Sequence, residues 1–288
     1  MPGIERYVVP HSLAEAMDLL RAGEATILAG GTDLMPQTQA GRLRFRPLLM
    51  NIQRIPELRG ITQQAGVVRI GALTTISELV DSTLVRERLN ILWQACDHFA
   101  SDQIRNAATL GGNLCNASPA GDALVPLLVL EARVVLASKP NGALESRALP
   151  LAQFLIGPGR TARTSAELLV AVELPVPQAG FRGEFHKFGT RPALDIATIS
   201  IGVGAVRKGA TLHDVRVAFG AVAPTPLRAP RTEAALEGRA PDDGVIEAAL
   251  RAADAEIQPI DDVRASEWYR RELVHNILRR VIARVSER

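Results

Sequence analysis

The sequence predicts an α+β protein: an N-terminal part in which strands and helices alternate, then a C-terminal part with an antiparallel sheet and helices. Three observations carry this. Short apolar runs alternate with capped helical periods from residue 7 to residue 174. A segment with Pro175, Pro177 and Gln178-Ala179-Gly180 then interrupts the pattern, and a boundary there divides the chain into domains 1–176 and 177–288. Beyond it come three extended runs and, after Ala223-Pro224-Thr225-Pro226, three helical ones.

Residues 7–9 are extended and stop at Pro10. Ser12 with Glu15 three residues on is a capping-box pattern, and Leu13, Ala16, Met17 and Leu20 make the apolar face of a helix that Gly23 ends. A strand at 25–29 runs into Gly30-Gly31, a helix follows over 32–40, and residues 47–52 form a second strand. Residues 61–62 and 67–70 are extended around a polar turn at 63–66. Thr75 and Glu78 repeat the capping signature, and one longer helix is predicted over 85–100. Residues 123–130 are apolar enough for a buried helix. Strands at 134–137 and 144–149 flank Asn141-Gly142, the dipeptide of a tight hairpin, and 168–174 is a strand stopped by Pro175. Strands are predicted at 184–188, 197–206 and 215–222, and helices at 231–236, 244–255 and 266–285. Trp93 and Trp268 fall on helical faces and read as packing residues.

Composition excludes several function classes. Of 288 residues, 47% are hydrophobic and 22% charged, with a net charge of only +2. That balance is globular and gives no footing for nucleic acid or a membrane surface as partner. No apolar run is long enough for a membrane span. The start, M-P-G-I-E-R-Y-V-V-P, shows no basic leader or apolar core, so a cytoplasmic location is expected. Cys96 and Cys115 are the only cysteines, too few for a four-thiolate cluster. His11, His98, His186, His213 and His275 lack metal-ligand spacing and read as surface or hydrogen-bonded structural residues. An electron carrier on this chain would therefore be organic.

Two glycine pairs stand out: L-A-G-G-T-D-L at 28–34, and T-L-G-G-N-L-C-N-A-S-P-A-G-D at 109–122. Paired glycines permit close backbone approach, and turns of this kind aim N–H groups at an anion, usually phosphate. Small polar residues crowd both: Thr32 and Asp33 in the first, Thr109, Asn113, Asn116, Ser118 and Asp122 in the second. Neither is a Walker A loop or a G-x-G-x-x-G fingerprint. Together they predict a pincer around a diphosphate.

These motifs, with F-A-S-D-Q-I-R-N-A-A ahead of the second pair, E-L-L-V-A-V-E-L-P and F-H-K-F-G-T-R-P-A-L-D-I-A, resemble the FAD-binding subunit of molybdenum hydroxylases, the family of xanthine dehydrogenase and aerobic carbon monoxide dehydrogenase. The resemblance spans essentially the whole chain. It implies an FAD-binding domain of the vanillyl-alcohol-oxidase/PCMH type in two α/β subdomains, about 1–55 and 56–176, and a C-terminal α+β domain. It implies FAD contacts from Ile27, Leu28, Ala29, Gly30, Gly31, Thr32, Asp33 and Leu34 in the first loop. Thr109, Gly111, Gly112 and Asn113 match the second loop, whose N–H and side-chain groups complete the pincer. Asp122 matches an acidic cofactor contact, Phe99 an aromatic near the cofactor, and Leu169 and Lys187 positions at the flavin ring. Lys187 can stabilise negative charge on a reduced flavin or be an ordinary solvated lysine. Arg105 can brace its loop, Arg191 and Asp195 can form a structural pair, and Cys115 reads as a small packed thiol.

No catalytic dyad or metal site is expected here. The resemblance implies a large molybdopterin-binding subunit that oxidises substrate and a small subunit with [2Fe–2S] clusters, in a dimer of heterotrimers. FAD on this chain would collect electrons and release them to a terminal acceptor. Two alternatives stay open: a stand-alone flavin oxidoreductase, such as a flavin oxidase or a UDP-sugar enolpyruvyl reductase-like protein, and a non-catalytic nucleotide-binding module.

Overall fold

The first three strands form a parallel sheet because each crossover between them is helical. Leu48–Asn51 lies at its centre, flanked by Arg6–Val8 and Ala25–Leu28. The computed structural model describes residues 3–191 and 194–287; Met1, Pro2 and Arg288 lie outside them, as do Pro192 and Ala193 of the R-P-A-L-D-I-A stretch. Helix Leu13–Ala22 buries Ala16, Met17 and Leu20, as its spacing predicts. Its capping box is only half made: Ser12 Oγ accepts from Glu15 N at 3.2 Å, but the Glu15 carboxylate accepts from His11 N at 2.8 Å. The next helix runs Leu34–Gln39, later than the predicted start at 32, because Gly31 at φ +72° holds the preceding residues in a turn.

A second sheet is antiparallel throughout, in the order Ile61–Gln64, Val67–Gly71, Leu168–Pro175, Arg133–Ser138, Glu145–Pro150. The predicted tight hairpin at Asn141-Gly142 is instead a longer connection, since the strands stop at Ser138 and resume at Glu145, with Gly142 at φ +82°. Thr75 and Glu78 do close a full capping box on Ile76–Asp81. The single helix predicted over 85–100 breaks at Leu89 (φ −127°, ψ 42°) into Thr83–Arg88 and Asn90–Asp97. The break turns Leu89 fully into the core. Helix Asp102–Ala107 was not legible in the apolar pattern; none of its residues is buried, so no such stripe marks it. Trp93 packs as expected, donating from Nε1 to Val80 O at 3.0 Å.

Beyond residue 180 the sheet is Phe181–Phe188, Ile199–Lys208, Thr211–Gly220 and Leu227–Arg228, antiparallel in that order. Strict alternation sets what each face meets. Ile199, Ile201, Val203 and Ala205 join the core made with helices Asp243–Glu256 and Glu267–Ser286. On the opposite face, Gly202 and Gly204 leave room for helix Leu124–Val129: an added Cβ would lie 2.9 Å from Val125 at the first and 2.9 Å from Val129 at the second. Phe185 and Ala218 complete that apolar contact. The sheet is therefore seated directly on the N-terminal core. Trp268, expected to pack, is 69% exposed. Among the described residues, no helix is long and apolar enough to cross a membrane.

Candidate functional site

The two glycine segments meet. A Cβ on Gly30 would lie 1.9 Å from the Ala107 carbonyl oxygen, so the first turn presses backbone to backbone on the chain leading into the second. Asn116 then ties them: its Nδ2 donates to Asp33 Oδ2 at 2.7 Å and its Oδ1 accepts from Gln37 Nε2 at 2.9 Å. Between them opens a cleft of about 600 Å³. Ile27, Ala29, Gly30, Gly31, Thr32, Asp33, Leu34, Phe99, Thr109, Gly111, Gly112, Asn113 and Leu169 all line it. Leu28 does not; it sits in the strand, and its carbonyl accepts from Ile52 N at 3.0 Å.

The segments contribute differently. Among the described residues, no carbonyl or side chain accepts the N–H of Gly30, Gly31, Thr32 or Asp33. Four successive free donors at a left-handed glycine form a nest for an anion. The second segment, expected to be a similar turn, is the helix Leu110–Asn116. Its early N–H groups are taken: Leu110 donates to Thr74 O at 2.9 Å, Gly111 to Ala72 O at 2.9 Å, Gly112 to Thr109 Oγ1 at 3.1 Å and Asn113 to Thr109 O at 3.0 Å. Gly111 is glycine because a Cβ would lie 2.8 Å from the Ala72 carbonyl oxygen, a packing reason rather than a ligand one. What this segment offers is smooth surface and Asn113 Oδ1, buried without a partner. An orphaned buried acceptor calls for a donor from outside the chain.

Ile52, Leu73, Leu168, Leu169 and Phe99 make an apolar part of the lining. Arg105 braces Phe99 as expected, donating from Nη1 to Asp97 O at 3.1 Å and Phe99 O at 3.0 Å. Asp122 and Lys187 do not line the cleft; they pair with each other at 2.7 Å, each side chain 11% exposed. The solvated alternative for Lys187 is therefore wrong. Burial pushes the Asp122 carboxyl up, against the pull of Lys187, and its Oδ1 has no partner.

Sequence reasoning missed Arg44, Arg46 and Arg163, which line the cleft; Arg46 pairs with Glu24 at 2.8 Å, and Arg44 and Arg163 bring positive charge to the lining. The alternation R-L-R-F-R over 42–46 was the available signal. Cys115 is an exposed residue of the cleft wall rather than a packed thiol. Arg191 and Asp195 do not pair: Arg191 donates from Nε to Leu194 O at 3.1 Å, and Asp195 accepts from Thr190 Oγ1 at 2.8 Å. No cluster of metal-ligating side chains occurs among the described residues.

Free N–H groups and arginines beside an apolar wall suit a nucleotide cofactor with a diphosphate and a flat ring, and they define a dinucleotide-binding α+β protein. Residues 3–177 match the FAD binding domain in molybdopterin dehydrogenase, and residues 184–285 match the CO dehydrogenase flavoprotein C-terminal domain. The chain is 33% identical to the xanthine dehydrogenase FAD-binding subunit of Escherichia coli O157:H7, over 94% of this chain and 92% of that one. It is 33% identical to the carbon monoxide dehydrogenase medium chain of Hydrogenophaga pseudoflava, over 96% and 95%. A chain of reconstituted CO dehydrogenase from Oligotropha carboxidovorans superposes with a TM-score of 0.93 at 31% identity, covering 99% of both. The chain belongs to the family of FAD-binding oxidoreductase subunits of molybdenum hydroxylases.

Proposed function

We propose that this chain is the electron-relay subunit of a heteromeric molybdenum hydroxylase. It receives electrons from [2Fe–2S] clusters in a small partner subunit, which draws them from a large molybdopterin subunit, and delivers them to a terminal acceptor. The assembly is a dimer of heterotrimers. Support comes from relatives that are medium chains of such enzymes, and from a chain whose two cysteines leave no room for a four-thiolate cluster of its own.

The observation that carries the reading is the free N–H nest at Gly30, Gly31, Thr32 and Asp33 facing a cleft of FAD size. Residues 1–176 are the domain that holds the cofactor, and 177–288 are the C-terminal flavoprotein domain. Ile27, Leu28, Ala29 and Leu34 shape the first loop around that nest, Thr109, Gly111 and Gly112 give the opposing wall, and Asn113 Oδ1 accepts from the cofactor. Phe99 and Leu169 exclude water from the apolar part. Asp122, behind the cleft wall, is the acidic contact at the cofactor's margin: its Oδ1 is buried without a partner, and Lys187 pairs with its Oδ2 at 2.7 Å. Bound FAD supplies a carrier that takes up and releases one or two electrons.

The test is the visible absorption spectrum of the purified chain, followed by its copurification with molybdenum and iron–sulfur subunits. The expected outcome is one bound FAD per chain and a stable complex with both. A chain that stays colourless after incubation with FAD, or that binds FAD but reduces substrate without partners, would overturn the relay.

A further inference from the structure

Arg270, on the terminal helix Glu267–Ser286, is only 4% exposed. A buried guanidinium is costly unless paired. Asp262 pairs with it at 2.7 Å through Nη2. Burial pushes against ionisation of Asp262, but the N–H groups of Arg264 and Ala265 and the guanidinium outweigh it and hold the carboxyl below its usual value. The other arm of Arg270 reaches across to the sheet and donates from Nη1 to Ala221 O at 3.1 Å.

Ala221 is the informative residue. It sits at φ +61°, in the left-handed region, where a residue with a Cβ is strained by roughly 1–2 kcal/mol. Strain of that kind persists only where the surroundings over-determine it. Its carbonyl is held by Arg270, and its N–H donates to Pro119 O at 2.8 Å. Pro119 belongs to the connection between helices Leu110–Asn116 and Leu124–Val129, three residues before Asp122. Gly220 lies beside the same point: a Cβ there would be in ordinary contact with Pro119 O at 3.4 Å. The start of that connection is tied down separately, by Gly159 N donating to Ala117 O at 3.1 Å.

We infer that Arg270 is a positioning residue for the cofactor: by holding Ala221 in the left-handed turn, it clamps the Pro119–Asp122 connection that follows the cleft-lining Asn113 and Asn116. This rests on the FAD reading above. Arg270 itself lies outside the cleft lining, so any effect on bound FAD is transmitted through Ala221 and Pro119.

The experiment compares the full chain, stripped of FAD, as wild type, Arg270→Met, Ala221→Gly, and the two combined. The readouts are the dissociation constant for FAD and the visible circular dichroism of the bound flavin. Arg270→Met is expected to weaken FAD about tenfold, equivalent to about 1.4 kcal/mol, and to change the dichroism. Ala221→Gly alone leaves both unchanged. In the Arg270→Met background it restores them, because glycine holds the left-handed turn without help. Arg270→Met binding FAD within about twofold of wild type and with unchanged dichroism, or a double variant no better than Arg270→Met, overturns the inference. If Arg270→Met does not fold, Arg270→Lys, which keeps the charge but cannot reach Asp262 and Ala221 together, is read by the same two measurements and the same criteria. A wild-type chain that binds no FAD sinks the relay reading instead.

Discussion

Asn116 donates to Asp33 across 2.7 Å, joining side chains 83 positions apart and bringing the second glycine segment onto the first. The same amide accepts from Gln37, so one residue fixes both the start and the middle of the helix that follows the nest. Hydrogen bonds to a charged acceptor contribute more than neutral ones, though partial exposure brings this one to about 1 kcal/mol. Asn116→Ala is expected to lower stability by about that amount and to weaken FAD by a larger factor, because the nest loses its registration with the opposing wall. Denaturant titration and FAD titration of one preparation check this. Equal losses in both would mean that Asn116 serves the fold alone.

The contact of Gly30 with Ala107 makes a sharper prediction. A Cβ placed 1.9 Å from a backbone oxygen cannot be absorbed by a side-chain rotation, so the two segments must separate. Gly30→Ala should cost about 1–3 kcal/mol of stability and abolish FAD retention on gel filtration. Gly142→Ala is the control: φ is +82° there, so a Cβ is strained by the backbone alone, but no neighbour lies within 4 Å and the residue does not line the cleft. It should cost about 1 kcal/mol of stability and leave FAD content intact.

The parts of this site that were legible are those written in local sequence. Gly30-Gly31 after an apolar strand announces a turn, and a run of small polar residues after the second pair announces a ligand surface. Thr109 was legible as a site residue but not as a helix cap, because residues 110–116 offer a single i, i+4 apolar pair, Leu110 and Leu114, too short a period to mark a helix. The role of Gly111 was hidden for a different reason. Its constraint comes from Ala72, on the far side of a long excursion in the chain, and no local pattern encodes such a contact. The arginines were missed because charge is common on surfaces, and only the fold shows which charges face inward. In the C-terminal sheet, the glycines at 202 and 204 carry no local signal of their role within the strand predicted at 197–206. Their meaning, close seating on helix Leu124–Val129, appears only once both partners are placed.

Asp122 and Lys187 invite a double-variant cycle. Each is buried, so removing one partner strands the other in low dielectric, whereas removing both strands neither. Asp122→Asn and Lys187→Met should each cost about 3 kcal/mol, and the combined variant should cost less than their sum by about 1–3 kcal/mol. Thermal denaturation of the four apo-proteins measures it. Strict additivity would show that the pair is screened by water and holds no charge in place. Because burial raises Asp122, its ionisation at neutral pH opposes folding and is relieved on acidification. Asp122→Asn should therefore flatten that part of the pH dependence.

Glu167 gives the opposite pH dependence. It is 7% exposed; its carboxylate accepts from Arg147 Nε at 2.5 Å, Arg147 Nη2 at 2.9 Å and Thr164 N at 2.8 Å. Its own carbonyl accepts from Nη1 of Arg163, a cleft residue, at 2.7 Å. The Arg147 guanidinium, against the pull of burial, holds the carboxyl below its usual value near 4.5. A carboxyl lowered in the folded state contributes stability that is present above the unfolded value and lost as pH falls through the folded one. The wild-type chain should therefore lose stability on going below about pH 4.5, and Glu167→Gln should show less of that loss. At pH 7 the variant should be less stable by about 1–2 kcal/mol, a figure discounted for the half-exposed Arg147. Its FAD affinity at pH 7 should stay close to wild type, since Arg163 is held by main-chain carbonyls of Glu167 and Thr164, which the variant keeps. Urea titrations at both pH values, with FAD binding at the higher one, decide it. Parallel stability curves for the two proteins would show that the Glu167–Arg147 contact does not carry the ionisation.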